Sequence, residues 1–150
     1  MTGLLVLLYG QPVSRIARLR LDQLACTGEH VTLALGPEPT VLPTPLDHLV
    51  LGLAAQRHGR GVLGRTDDHR WLIPGQTAGE PITVQPLVQR LNQLGIRARP
   101  ARNTTLMELA AELPAAVISR LLGLSITSAE HWTAEAAAGR IHYAADLAQR

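Results

Sequence analysis

The sequence predicts a mainly α-helical α+β domain with a small antiparallel β-sheet, and three observations lead there. Apolar residues recur at helical spacing over most of the second half. A single β-branched stretch near Val31 is closed by a Gly-Pro turn. With 46% hydrophobic and 17% charged residues, the 150-residue chain can bury a core. At 16.1 kDa it is expected to form one domain, residues 1–150.

Residues 4–9 and 13–20 have helical spacing on either side of Gly10-Gln11-Pro12. Pro12 suits the first position of the second helix, where its missing N–H would have no partner. Val31 to Leu35 reads as a strand, and Gly36-Pro37-Glu38-Pro39 turns it into Thr40–Leu42, a short hairpin or meander. From Pro43 to Arg57, the residues Leu46, Leu49, Val50, Leu53 and Ala54 have amphipathic helical spacing. Arg57 to Arg70 reads as a polar, Gly-rich loop, and Trp71–Ile73 as a short strand ended by Pro74-Gly75.

Thr83 is placed to cap a helix to about Leu94, closed by Gly95. Ile96 to Pro100 reads as extended chain carrying Arg97 and Arg99, with a helix from Asn103 or Thr104 to about Glu112. Pro114 opens a helix that stops at Gly123. Thr127-Ser128-Ala129-Glu130 fits a capping box for a helix towards Ala138. Gly139 is expected to break that helix, leaving a short terminal one over Ile141–Gln149.

Composition removes several classes of chemistry. All 14 basic residues are Arg, so no mechanism can use a lysine ammonium. The single cysteine, Cys26, excludes a disulfide framework and a Cys-rich zinc site, and fits a reducing cytoplasm. No two of the six His lie three or four apart, so no metal site is expected. Asp67 and Asp68 are adjacent and would point to opposite sides of an extended chain, unsuited to sharing a proton. There is no Gly-rich phosphate loop, and no cofactor is expected. The apolar run Leu4–Tyr9 is far below the ~20 residues of a membrane span and has no basic residue before it, so no membrane partner is expected. Its abrupt start fits a C-terminal piece of a longer protein.

Charge is spread unevenly. Residues 57–102 hold eight Arg and three acids, whereas residues 1–56 hold three Arg and four acids, and residues 103–150 three Arg and five acids. A basic middle segment fits a phosphate-bearing partner or a solvated Arg-rich loop. From Leu113 to Trp132 the chain reads as helix, turn at Gly123, helix. That is the spacing of a helix-turn-helix presenting Thr127, Ser128 and His131, or of an ordinary pair of core helices.

In order, the segments resemble the catalytic domain of the tyrosine recombinase (phage integrase) family over roughly residues 4–135. Tyr9 to Leu24 is similar to the family's TGLRISELLALRWEDI box, and Val31 to Leu46 to the strands leading into its "vPL" segment. Trp71 to Gly75 is similar to its "lF" segment, Arg99-Pro-Ala-Arg102 stands at its HxxR, and Leu121 to Ile126 is similar to its LLGHss. The resemblance implies a family in which a Tyr attacks DNA phosphate, two Arg and a His or Trp hold the charge, and a Lys protonates the leaving oxygen. Here those positions fall on Pro12 and Arg102 for the two Arg, Arg99 for the first residue of HxxR, and Leu124 for the His or Trp. The Lys position falls within Leu35–Glu38, and the nucleophile on or beside Trp132.

Only Arg102 is retained, so the resemblance implies a catalytically inactive protein that keeps a cationic DNA-binding face. The residues expected on that face are Arg15, Arg97, Arg99, Arg102, Arg120, Thr127, Ser128 and His131. The expected partner is duplex DNA in a bacterial, nucleoid-associated cytoplasmic setting. Trp132 is expected to plug the hollow of the lost tyrosine. The terminal helix fits either docking onto a second copy or folding back in cis. Arg102 could alternatively sit in a structural ion pair. Two rival functions are a protein-interaction module that has lost the DNA face, and an enzyme with Tyr143 as a relocated nucleophile.

Overall fold

The computed structural model of the chain describes residues 1–28, 30–56, 69–77 and 79–148, with side chains described as far as residue 139. Among these residues the chain is mainly helical, with one three-stranded antiparallel sheet. The Arg57–Arg70 loop expected from the sequence lies, up to Asp68, outside the described residues, and so does the Asp67-Asp68 pair.

Helix α1 (Thr2–Tyr9) buries Leu5 and Val6 and stops at Gly10, whose φ of 56° is left-handed. Pro12 stands just before the short α2 (Val13–Ile16), in extended geometry, as the helix cap. Strands β1 (Leu24–Thr27), β2 (His30–Leu33) and β3 (Thr40–Val41) form a meander in sequence order. Val31 and Leu33 point into the core with Leu35 behind them, the alternation of a one-sided sheet. Strand β1, not expected from the sequence, pairs Leu24 with Leu33 and Cys26 with Val31.

Helix α3 (Leu46–Ala55) buries Leu46 and Val50 and leaves Leu49 exposed, so the apolar stripe is narrower than the spacing suggested. Trp71–Ile73 is not a strand. Two isolated bridges, Arg20 with Trp71 and Pro74 with Pro81, tie the segment down. Pro74 and Pro81 have no N–H to extend a ladder. Helix α4 (Val84–Gln93) buries Leu87 and Leu91 one turn apart. It closes with the Ile96 N–H on the Leu91 carbonyl (2.9 Å) and the Gly95 N–H on the Asn92 carbonyl (3.0 Å), a Schellman closure.

Three expectations are corrected in the last third. The extended stretch expected over Ile96–Pro100 stops at Arg97, which caps α5 in extended geometry; residues 98–100 are helical, and α5 runs from Ala98 to Glu112. Pro100 is accommodated because it lies in the first turn, where backbone N–H groups have no helical partner. The last helix, α7, begins at Ile126 rather than at Thr127, because Ser125 is the capping residue: its hydroxyl accepts the Ser128 N–H (3.2 Å). Gly139 does not break α7, which continues to Ala148 and absorbs the expected terminal helix. Between α5 and α7 lies α6 (Ala115–Leu122), started after Pro114 and stopped at Gly123, as expected.

The buried apolar side chains fall into two clusters. One joins α1–α4 and the sheet; the other joins α5–α7 around Leu106, Ile118, Leu122, Ala129 and Ala136. Tyr9 packs against both, and its hydroxyl donates to the Val41 carbonyl (3.1 Å). Helix α5 is the middle layer, packed against α1 and α7.

Candidate nucleic-acid interface

The corner Gly10-Gln11-Pro12 organises the site. A side chain at Gly10 would stand 2.8 Å from Leu106 and 3.5 Å from the Arg102 carbonyl, so α5 passes directly over the corner. Gln11 is 1% exposed, and its amide donates to the Leu122 carbonyl (3.1 Å) at the end of α6. The corner therefore holds the Arg102 turn of α5 on one side and the α6–α7 turn on the other. Gln11 is a residue the sequence did not single out, since nothing in Gly-Gln-Pro distinguishes a buried amide from a solvated one.

Arg97 and Arg99 are exposed at the start of α5, and Arg102 is half-buried on its next turn. The first turn holds no acidic residue. Cations at a helix N-terminus face the positive end of the dipole, an unfavourable placement that a bound anion would reverse. Among the described residues, ion pairs are formed by Arg20 with Asp22 and by Arg120 with Glu38, and none includes Arg97, Arg99 or Arg102. The alternative of an Arg102 ion pair is thereby not met. Burial holds the Arg102 guanidinium below its ordinary pKa, and its Nε is buried with no hydrogen-bond partner.

Arg15 is turned inward. Its guanidinium donates to the carbonyls of Leu122 (2.8 Å), Gly123 (3.1 Å) and Leu35. The α6 carbonyls form the negative end of that helix, so the cation completes a C-cap. Burial lowers its pKa as well. Arg15 thus supports the α6–α7 turn, and both terminal nitrogens expected to meet DNA are occupied.

Arg120 lies exposed on the last turn of α6, paired with Glu38 from the loop between β2 and β3. Thr127, Ser128 and His131 are exposed at the N-terminal end of α7. Ser128 is partly used in the cap, since the Ser125 hydroxyl donates to its Oγ (2.8 Å). The His131 ring lies 6.0 Å from that of Trp132, tilted by 57°. Trp132 is half-buried against the second cluster, which Leu124 and Tyr9 also border. The corner thus gathers Pro12, Arg102 and the turn before Leu124, and Arg15 ties the Leu35 end of the β2–β3 loop to that turn.

A second concavity, a groove of about 820 Å³, opens between α2, the end of α3, residues 73–77 and 80–83, and the start of α4. Arg18, Arg90 and Glu80 line it, and none of the eight residues expected on a DNA face does. Among the described residues there is no group of His, Cys, Asp and Glu able to hold a metal ion, and no helix long and apolar enough to cross a membrane. Searches against protein-family models, curated proteins and solved structures gave no match to the chain.

Proposed function

We propose that the chain is a catalytically inactive, tyrosine-recombinase-like protein that binds duplex DNA. It does so through the N-terminal turns of α5, with Arg97, Arg99 and Arg102, and through the start of α7, with Thr127, Ser128 and His131. One observation carries the reading: three Arg without ion-pair partners among the described residues lie on consecutive turns at the positive end of one helix, and the innermost has a buried, unpartnered Nε. A phosphate backbone supplies the negative charge that this arrangement lacks. The gathering of Pro12, Arg102 and the α6–α7 turn around one corner supports the resemblance, because these positions are far apart in sequence. Arg15 acts in this reading as a support and not as a contact. Self-association through the distal part of α7 belongs to the same proposal.

Fluorescence-anisotropy titration of random duplex DNA tests it. With three phosphate contacts, the logarithm of affinity falls with that of salt at a slope of about −2.7, so binding weakens roughly 40-fold between about 50 and 200 mM salt. Arg97→Ala and Arg99→Ala should each weaken binding to every sequence and reduce the slope by about one. Absent or salt-insensitive binding would overturn the reading in favour of a protein-interaction module.

A further inference from the structure

Arg120 differs from Arg97, Arg99 and Arg102 in being already occupied by an acid delivered from elsewhere in the chain. The delivery is a backbone arrangement. The Glu38 N–H donates to the Arg120 carbonyl (3.2 Å). At Gly36 a side chain would lie 2.1 Å from that same carbonyl and 2.7 Å from the Gly123 nitrogen, so only glycine lets the loop lie this close. Arg15 fastens the preceding Leu35 carbonyl to the end of α6. The loop is therefore held in place whether or not the carboxylate touches Arg120.

The carboxylate is the exchangeable part. The Arg120 and Glu38 side chains keep 65% and 44% of their surface exposed, so water competes for both and the pair is weak. A guanidinium donates to carboxylate and phosphate oxygens with the same planar fork. Arg120 lies on the last turn of α6, joined through Gly123 to the exposed start of α7.

We propose that Glu38 is a built-in competitor for nucleic-acid phosphate, holding Arg120 until a phosphate displaces the carboxylate. The proposal rests on the DNA-binding reading above and adds an autoinhibitory contact to it. The exchange leaves the Glu38 N–H, the Gly36 approach and the Arg15 bonds intact. It therefore needs no movement of the β2–β3 loop, and the liberated cation adds one phosphate contact.

Duplex titrations of four chains test this: wild type, Glu38→Gln, Arg120→Ala and the double variant, with Glu38→Ala repeating the first substitution. Circular dichroism and melting establish that each is folded. At about 50 mM salt, Glu38→Gln should bind roughly two- to five-fold more tightly than wild type, the range expected for releasing an exposed pair. In the Arg120→Ala background the same substitution should change nothing. An equal gain in both backgrounds would mean a general effect of removing negative charge and would overturn the proposal, as would no gain in either. A wild-type chain that binds no duplex at low salt would overturn the reading and the gate together. Binding with no effect of Glu38 would overturn the gate alone.

Discussion

Arg102 and Arg15 are both partly desolvated, yet they do opposite work. Arg15 meets three carbonyls and fastens α2 to the end of α6 and to residue 35. Arg102 has a buried Nε with no hydrogen-bond partner among the described residues. Hydrogen bonds from a charged donor contribute about 1.5–3 kcal/mol, and carbonyls left unpaired add to the loss. Arg15→Met is therefore expected to destabilise the fold by about 2–4 kcal/mol in chemical denaturation, while leaving the salt slope of DNA binding unchanged. Arg102→Met removes a cation without a partner, so stability should hold or rise. Its effect should instead appear in binding, as weaker affinity for all duplexes and a slope shallower by about one. If Arg102→Met unfolds the protein, or Arg15→Met flattens the salt dependence, the two roles have been exchanged. The sequence alone could not separate these arginines. The carbonyls that turn Arg15 inward come from positions 20, 107 and 108 residues away.

At the scale of elements, what was legible is what local chemistry decides. Gly10, Gly95 and Gly123 all adopt positive φ and end α1, α4 and α6 where the sequence placed their stops. Local reasoning failed where context decides. Strand β1 exists because β2 pairs with it, α5 starts early because Pro100 lies in a first turn, and Trp71–Ile73 finds proline where a ladder would continue. Gly139 is the sharpest case. Helix α7 runs through it, and a side chain there would meet nothing within 4 Å. Gly139→Ala should then stabilise the protein by about 0.5–1 kcal/mol through the cost of glycine inside a helix. A glycine that broke the helix in a left-handed conformation would give the opposite sign. A rise in melting temperature, with helical circular dichroism retained or increased, supports the continuous helix; a fall overturns it. The candidate site was legible in part for a similar reason: Arg97, Arg99 and Arg102 were found as charges in sequence. Gln11 and the Glu38–Arg120 contact depend on segments distant in sequence meeting at the end of α6.

Over the whole molecule, the proposed reading is binding without cleavage, and charge and residue chemistry set its test. Three of the eight arginines of the basic middle segment, Arg97, Arg99 and Arg102, lie at the start of α5. Phosphoryl transfer would need more than cations. The positions at which the resemblance places the nucleophile, the first Arg and the His or Trp hold Trp132, Pro12 and Leu124, and the chain has no lysine. Each missing stabilising donor would remove about 10²- to 10³-fold of rate, so under the proposed reading strand cleavage is expected to fall below detection. The Tyr9 hydroxyl is bonded to the Val41 carbonyl, and burial pushes its pKa up, away from the phenolate. Incubation with nicked duplexes that trap covalent intermediates should therefore yield no protein–DNA adduct, under the low-salt conditions in which anisotropy reports binding. The test is strict because binding and chemistry are read on the same complex. An adduct that survives denaturation and disappears in Tyr143→Phe would restore the enzyme reading and assign its nucleophile. Salt-sensitive binding with no adduct is the expected outcome, and it separates the cationic face from the chemistry such a face serves elsewhere.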